Sequence, residues 1–343
     1  MSRVAATRRP DNHPQGVYPG FAPSAEKLAA GATPGLEGAG VVEDGNGTGV
    51  ENGTRCIVFF NTKEGQGSWQ QYVAVPATNI IPVPDSVPDE AAAQVRGRRA
   101  GGRRLRWAQL PAAHKSSAQG CCARAHRLRR CVARPPPQFL VNPVTVVGML
   151  ESLATPPGKY IIQSAAGSTL GRQLITVAKK QGLKTINLVR RAEQAEELLA
   201  LGADVVLCTE TDDIAARVKE VTGGEGAWGA VDAVGGPLVQ RITGAVRDGG
   251  FVYIYGAMSG LEFVGSIVDV LFRGITIKGF WLNVYLSSIS PERKAAVFSE
   301  VVGWLADGTL VPFCGERFPL EQVADAVKAS QATARGGKVL LMG

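Results

Sequence analysis

The sequence predicts an α/β protein in which a doubly wound parallel sheet is joined to a smaller β-rich domain. After Pro157, six short apolar runs alternate with helical stretches, and crossovers of this length are typical of parallel strands. Before that point, short β-type runs alternate with glycine-rich turns, which indicates a small β-rich domain. The 343 residues are enough for two domains with a large core.

The predicted elements follow one another along the chain. In the small domain, the β-type runs cover 35–42, 53–60 and 67–75. In the large domain, the six predicted strands cover 160–165, 185–190, 204–208, 229–234, 250–255 and 275–281, with helices at 192–201 and 214–221 between them. A helix over 292–306 and a strand over 337–342 come next, and we expect this strand to complete the small domain.

The positive charge of the chain is concentrated in residues 95–138. The whole chain has 37 Lys and Arg against 30 Asp and Glu, a net charge of +7. The segment holds eleven Arg, Lys115 and no acidic residue, so the rest of the chain has 25 basic against 30 acidic residues. A nucleic-acid partner is therefore not predicted, because the basic character belongs to one segment. The sequence also has no run of eighteen apolar residues that would predict a membrane span.

Residues 95–138 show no strand alternation and no helical apolar stripe, a composition that predicts disorder. Two interpretations stay open. The segment could be a translated intron. It begins with Val95, whose codons start with the GT of a splice donor, and it ends with Gln138, which the CAG of a splice acceptor would encode. The proline run before Gln138 is compatible with the C-rich tract that precedes an acceptor. Alternatively, it is a basic loop for a partner or a membrane surface. Sequencing the transcript distinguishes the two, because a message that always lacks the segment would exclude the loop.

Residues 159–171 have the pattern of a dinucleotide-binding βαβ unit, although Ala165 and Ala166 occupy places where glycine is common. An apolar run enters a glycine-bearing turn, the turn opens a helix, and a second apolar run ends about twenty residues later. Backbone N–H groups at the start of that helix would hold a pyrophosphate. The second run ends in Arg190 and Arg191, where an NAD site usually has Asp or Glu. Guanidinium groups there favour a 2′-phosphate and so predict NADP(H).

Further motifs are spread over most of the chain. They are Gln15–Pro19, Pro34–Gly40, Gly67–Trp69, Val141–Thr145, Asp232–Gly236, Tyr255–Met258 and Gly279–Leu282. With these motifs the chain resembles the medium-chain dehydrogenase/reductase superfamily, and within it the zinc-independent trans-2-enoyl-CoA or acyl-carrier-protein reductases of the quinone-reductase-like branch. The resemblance implies a Rossmann-type cofactor domain beside a GroES-like catalytic domain. It also implies NADPH-dependent reduction of an activated C=C bond, with a trans-2-enoyl thioester as the first candidate substrate.

The resemblance implies roles for individual residues. Tyr18 matches the catalytic tyrosine, which would help to protonate or orient the substrate. The residues that match cofactor contacts are Asn142, Gly167, Ser168, Thr169, Leu170, Gly171, Arg190, Arg191, Tyr255, Gly256, Ala257, Met258, Phe280, Trp281, Leu282, Asn283 and Lys338. In this scheme Asn142 lies near the nicotinamide, residues 167–171 hold the pyrophosphate, and Arg190 and Arg191 bind the 2′-phosphate. Trp281 is equally compatible with a core position.

Within the superfamily, a zinc alcohol dehydrogenase is disfavoured and no metal is expected. Leu36 occupies the place of the histidine ligand, Cys56 has no ligand companion nearby in sequence, and the four-cysteine structural motif is missing from the sequence. The cysteines of 95–138 also lack the spacing of a zinc finger. An NADPH:quinone oxidoreductase stays open as an alternative, because that activity uses the same cleft with few dedicated groups.

We expect the small domain to be truncated at its N-terminus, because the tyrosine motif is preceded by fewer residues than the family has. The chain divides into 1–94, an incomplete GroES-like catalytic domain; 95–138, the basic insert; 139–157, a linker helix; 158–283, the Rossmann NADP-binding domain; and 284–343, a return to the catalytic domain. A different class of function is also possible, namely an inactive cofactor-binding remnant or a basic-loop interaction protein.

The expected partners are a second copy of the chain and a small molecule. The resemblance implies a homodimer, with Thr276–Phe280 as a candidate edge strand, and an acyl thioester or a quinone as substrate. Cys56, Cys208 and Cys314 lie far apart in sequence, which predicts reduced thiols in an intracellular compartment, either cytoplasmic or organellar.

Overall fold

The computed structural model describes residues 37–45, 47–59, 67, 72–84, 87, 126–128, 141–311, 313–332 and 337–342. Tyr18 and most of residues 95–138 lie outside these ranges. All structural statements below refer to the described residues.

Five short strands form the described part of the small domain. They are β1 (Glu37–Val41), β2 (Arg55–Phe59), β3 (Val73–Val75), β4 (Ile80–Pro82) and β5 (His126–Leu128). The first, second and fourth form an antiparallel sheet in the order β1-β2-β4, and β3 pairs with β5. β1, β2 and β3 lie within the three predicted runs. β5 lies in the basic insert, where the sequence predicts no element; the free backbone groups of an edge strand can pair with an extended segment of any composition.

Six parallel strands form the sheet of the large domain. They are β6 (Tyr160–Gln163), β7 (Lys184–Val189), β8 (Val205–Cys208), β9 (Ala227–Asp232), β10 (Val246–Ile254) and β11 (Thr276–Gly279). Their order across the sheet is β8-β7-β6-β9-β10-β11, and every neighbouring pair is parallel. This is the doubly wound order, which reverses direction between β6 and β9. The predicted fold class is confirmed.

Helices cover both faces of this sheet and continue into the C-terminal part of the chain. They are α1 (Val141–Leu153), α2 (Thr169–Lys180), α3 (Ala195–Leu201), α4 (Ile214–Val221), α5 (Leu238–Thr243), α6 (Leu282–Ser288), α7 (Pro291–Ala306) and α8 (Val323–Gln331), with a π-helical turn at Val268–Phe272. Side-chain oxygens of Ser168, Asp213 and Ser290 accept hydrogen bonds from backbone N–H groups in the first turns of α2, α4 and α7. Such caps fix where these helices begin, because the first N–H groups of a helix have no partner within it.

The C-terminal part adds a separate βαβ unit. β12 (Cys314–Pro319) and β13 (Lys338–Met342) are parallel neighbours, and α8 connects them. The predicted strand at 337–342 is therefore confirmed. Its expected pairing with the small domain stays a prediction, since among the described residues its partner is β12.

Helix α1 lies in the largest apolar cluster, which contains residues from both domains. Nine of its 13 residues are buried. The cluster includes Ala39 and Ile57 of the small domain, Ile161 and Val231 of the parallel sheet, and side chains of α2, α6 and α7. Gly148 on α1 faces the rings of Phe280 and Tyr285, to each of which an added Cβ would approach within 2.8 Å. The missing side chain thus allows two aromatic rings to contact the helix backbone.

We expect Gly148→Ala to lower the free energy of unfolding by about 1–3 kcal/mol, because the new methyl group would overlap the rings of Phe280 and Tyr285. The matched control is Gly303→Ala on α7, where an added Cβ meets no atom within 4 Å. That variant should raise the free energy of unfolding by about 0.5–1 kcal/mol, because alanine loses less backbone entropy on folding. Urea denaturation of both variants checks the pair. Equal effects at the two sites would contradict the packing argument.

Candidate dinucleotide-binding site

The candidate site lies at the carboxyl ends of β6 and β9, where the strand order reverses. In doubly wound sheets the crossovers on either side of this point leave toward opposite faces, so a crevice opens between them. The turn that follows β6 enters α2, and the turn that follows β9 enters α5. Segments 190–191, 255–258 and 280–283 follow β7, β10 and β11, so they lie at the same edge of the sheet. The topology thus brings together most of the predicted cofactor contacts.

The turn between β6 and α2 explains the unusual glycine spacing. Ala165 has φ of +50°, a left-handed conformation that glycine adopts more readily. Ser168 caps α2, and its Oγ accepts from the N–H of Gly171 at 3.1 Å. Gly171 lies so close to the turn that an added Cβ would be 2.5 Å from the carbonyl oxygen of Ala166. Glycine is therefore required where the helix packs against the turn, whereas the left-handed position is occupied by alanine.

The segment after β7 contacts this turn. Arg190 and Arg191 follow the last residue of β7 directly, and both side chains are exposed. The carbonyl oxygen of Arg190 accepts from the thiol of Cys208 at 3.4 Å, which connects the end of β7 with the end of β8. The side-chain amide of Gln194 lies where a Cβ on Gly167 would be. A larger residue at 167 would thus displace Gln194 from the turn.

Arg172 is a functional candidate that the sequence reasoning did not identify. Its Nε donates to the carbonyl oxygen of Gly167 at 3.2 Å, and its Nη1 lies 2.6 Å from a carboxylate oxygen of Glu197 on α3. Its guanidinium group also lies 4.1 Å from the centre of the Phe313 ring. The hydrogen bond and charge of Arg172 lower the pKa of Glu197, although burial opposes this. Arg172 therefore connects the turn, α3 and the C-terminal part of the chain.

Ser164 and Asp232 connect the two turns at the reversal point. Both residues are fully buried, and Ser164 Oγ donates to Asp232 Oδ1 at 2.5 Å. The carboxylate also accepts from the backbone N–H groups of Val234 at 3.1 Å and Gly235 at 2.7 Å. Burial raises the pKa of Asp232, while these three hydrogen bonds lower it, and the net direction is upward. The sequence motif contains Asp232, but only the structure gives it a partner.

The segment 255–258 rests on the backbone that follows β9. The N–H of Tyr255 donates to the carbonyl oxygen of Asp232 at 2.8 Å, and the N–H of Met258 donates to that of Ala233 at 3.1 Å. A Cβ on Gly256 would be 2.7 Å from the same carbonyl oxygen of Ala233. The hydroxyl of Tyr255 is buried without a hydrogen-bond partner among the described residues, and burial together with the nearby Asp232 raises its pKa. The segment is therefore positioned by backbone contacts.

The segment 280–283 begins where β11 ends. The N–H of Phe280 donates to the carbonyl oxygen of Ile254 at 2.8 Å. Phe280 packs against the core around α1, and Leu282 is buried, whereas Trp281 is 45% exposed. The core interpretation of Trp281 is therefore wrong, and its part in binding a cofactor stays a prediction. Asn283, which lies in the first turn of α6, is half-buried.

Two predicted site residues belong to other elements, α1 and β13. Asn142 is the second residue of α1 and half-buried, and Lys338 is the first residue of β13, opposite Cys314. Tyr18 lies outside the described residues. The roles of all three stay predictions.

The comparisons with known proteins agree with this geometry. A family model described as zinc-binding dehydrogenase matches residues 169–300, from α2 into α7. The mitochondrial enoyl-(acyl-carrier-protein) reductase of Arabidopsis thaliana is 34% identical over 193 residues, which are 52% of this chain and 50% of that protein. The protein of the same name from Dictyostelium discoideum is 24% identical over 321 residues, 92% of this chain and 78% of that protein. The chain thus spans only half the length of the Arabidopsis relative.

A solved structure extends the agreement to the whole fold. The quinone oxidoreductase of Pseudomonas syringae pv. Tomato DC3000 superimposes with a TM-score of 0.72 at 22% identity, covering 100% of this chain and 91% of that one. The chain is therefore similar in sequence to the zinc-binding dehydrogenase family over residues 169–300, and its fold is that of the Pseudomonas syringae protein. The described residues contain no group of three or more His, Cys, Asp or Glu that could hold a metal ion. The expectation that the chain uses no metal stays a prediction. No helix in the described ranges is long and apolar enough to cross a membrane.

Proposed function

We propose that this chain is an NADP(H)-dependent reductase of activated C=C bonds, and that its substrate is a trans-2-enoyl thioester. The observation that supports it best is the exposed pair Arg190 and Arg191 at the end of β7, beside a helix-opening turn at the reversal point of the sheet. The names of the Arabidopsis and Dictyostelium relatives support the substrate class.

The residues present fit the cofactor. The first N–H groups of α2 point to the turn at 165–168, and a helix N-terminus of this kind attracts a pyrophosphate. The close packing of Gly171 against Ala166 leaves the turn free of side-chain bulk. Arg190 and Arg191 would bind the 2′-phosphate through charge-assisted hydrogen bonds. When bound, NADPH would supply a hydride.

Proton delivery is assigned to Tyr18. The hydride would go to the β-carbon of the enoyl thioester and a proton to the α-carbon, so that the C=C bond would become a single bond. A phenol with an ordinary pKa of about 10 is protonated at neutral pH and can donate to the transient enolate. This assignment rests on the family motif around Tyr18.

A quinone reductase is the second candidate, because the superimposed Pseudomonas syringae protein is a quinone oxidoreductase.

The location that we propose for this chain is an organelle, because the names of the Arabidopsis and Dictyostelium relatives both describe them as mitochondrial. Microscopy of the full-length protein with a C-terminal fluorescent fusion tests that location, and a diffuse cytoplasmic signal would contradict it.

We expect the full chain to oxidise NADPH with a medium-chain trans-2-enoyl-CoA, and Tyr18→Phe to reduce kcat/KM by about 10²–10⁴-fold, because the proton donor is lost. The dissociation constant for NADPH should stay unchanged in this variant. Tyr72→Phe is the matched control, since Tyr72 is an exposed tyrosine of the small domain. Preference for a quinone, with no effect of Tyr18→Phe, would favour the second candidate. NADPH binding without turnover of either substrate would favour an inactive remnant.

Removing the arginine pair should change cofactor preference. We expect the double variant Arg190→Ala, Arg191→Ala to raise KM for NADPH by about 10–100-fold, the effect of losing charge-assisted hydrogen bonds to a phosphate. KM for NADH should change little, because NADH has no 2′-phosphate. Arg217→Ala on α4 is the control, since Arg217 pairs with Glu220 on the same helix. An equal rise of KM for both cofactors would exclude a specific contact with the 2′-phosphate.

We further propose that the chain forms a homodimer through the region around β11. Among the described residues, β11 pairs with β10 on one side only, so its other edge can accept a strand. Next to it, between 261 and 272, lie strongly exposed apolar side chains: Leu261, Phe263, Val264, Ile267, Val268, Val270, Leu271 and Phe272. Exposed patches of this kind mark interfaces. A second copy would cover the patch and pair the two β11 strands across a two-fold axis.

Light scattering tests the dimer. The full chain should have twice its monomer mass of 36.1 kDa, and Phe272→Glu should shift it to the monomer, because a charge would be buried in the interface. Phe272 is 77% exposed in the single chain. Val311→Glu is the control, since Val311 is 72% exposed and lies outside the patch. A monomeric wild-type chain at all concentrations would rule out a second copy as the partner.

A further inference from the structure

The hydrogen bond between Ser164 and Asp232 is part of a closed network. Ser164 Oγ donates to Asp232 Oδ1 at 2.5 Å and accepts from the N–H of Ala233 at 2.9 Å. The N–H groups of Val234 and Gly235 donate to Oδ1 and Oδ2 of the same carboxylate. Every described partner of the carboxylate is a donor, which matches an ionised group that can only accept. The network thus fixes the first three residues after β9.

On one side, the network supports the segment after β10. The carbonyl oxygens of Asp232, Ala233 and Val234 accept from the N–H groups of Tyr255, Met258 and Ser259 at 2.8, 3.1 and 2.9 Å. The segment 255–258 therefore takes its position from the backbone at 232–234, and a shift of that backbone would move it.

On the other side, the network supports the turn after β6. Ser164 directly precedes Ala165, whose left-handed conformation has to be stabilised by its surroundings. The N–H of Ser164 donates to the carbonyl oxygen of Val231 at 3.1 Å, and the N–H of Ala166 donates to that of Leu188 at 3.1 Å. Ser164, the last residue before the turn, is therefore held to β9 through both its backbone and its side chain.

We propose that Ser164 and Asp232 are positioning residues for the cofactor: their hydrogen bond sets the distance between the turn at 165–168 and the segment at 255–258. This inference rests on the proposed function, since it assumes that NADPH lies between the two segments. Without this bond, each segment would still follow its own strand, but the distance between the two segments would no longer be fixed.

A matched pair at the opposite edge of the sheet separates positioning from general stability. Thr243, at the end of α5, donates from Oγ1 to Asp269 Oδ2 at 2.6 Å, and both residues are buried. Like Ser164 and Asp232, this pair joins a buried hydroxyl to a carboxylate, although Asp269 also accepts from Arg273 Nη1 at 2.8 Å and Thr243 Oγ1 also lies 3.0 Å from the carbonyl oxygen of Gln240. It lies where β10 begins, away from the carboxyl ends of the strands. Loss of either hydroxyl removes one buried hydroxyl–carboxylate bond.

The test uses the full chain with Ser164→Ala and Thr243→Val, the latter being isosteric. NADPH fluorescence gives the dissociation constant, and thermal unfolding gives Tm. We expect both variants to lower Tm, but only Ser164→Ala to raise the dissociation constant for NADPH, by about tenfold, which corresponds to about 1.4 kcal/mol. Asp232→Asn breaks the network from its other end, because its amide nitrogen would face the N–H of Gly235, and it should raise the dissociation constant at least as much.

Each outcome decides the inference. If Ser164→Ala binds NADPH as tightly as Thr243→Val while Tm falls in both, the pair is structural and the positioning role is wrong. If Ser164→Ala does not fold, Asp232→Asn measured against Thr243→Val decides in the same way. If neither variant of the network folds while Thr243→Val does, the pair is required for folding, and a separate positioning role is again wrong. If the wild-type chain does not bind NADPH, the proposed function fails and this inference with it.

Discussion

The burial of helix α1 is the constraint on which the rest of the structure depends. An α-helix with nine of 13 residues buried cannot lie on a surface, so both domains must pack around it. Its apolar side chains meet β1 and β2 of the small domain on one side and the parallel sheet with α2 on the other. Gly148 admits the rings of Phe280 and Tyr285. The end of β11, and with it the segment 280–283, is thereby fixed relative to the core.

A second constraint acts at the edge of the sheet, where backbone atoms approach one another closely. Gly171 packs against Ala166, and Gly256 packs against Ala233, so the turns after β6 and β10 lie closer to their neighbours than side chains would allow. Close packing excludes water from the polar backbone groups, and each buried N–H or C=O group then needs a hydrogen-bond partner within the protein. Ser164 and Asp232 supply such partners at the reversal point. At this edge of the sheet the turns are thus packed backbone against backbone, and the side chains of Ser164 and Asp232 hold that backbone in place.

The sequence predicts the strands of the large sheet to within a few residues, because a parallel strand buried on both faces is a continuous apolar run. β10 begins at Val246, earlier than predicted, since its pairing with β9 shifts register before Phe251. Ala165 looks like a departure from the glycine pattern until its φ is known. The roles of Arg172 and Asp232 depend on partners 25 and 68 residues away, Glu197 and Ser164, which local patterns do not contain. β5 is missed for the same reason, because only its pairing with β3 makes it a strand.

The proposed interface and the proposed cofactor site share one loop. Gly236, at the end of the motif that begins with Asp232, forms a bridge with Phe263 of the exposed apolar patch. The N–H of Gly236 donates to the carbonyl oxygen of Glu262 at 2.9 Å, and the N–H of Val264 donates to that of Gly236 at 3.1 Å. Covering the patch would therefore restrain the loop that Asp232 holds from its other end. If assembly already orders this loop, the loop loses less conformational entropy when the cofactor binds. Assembly and cofactor binding should therefore favour each other.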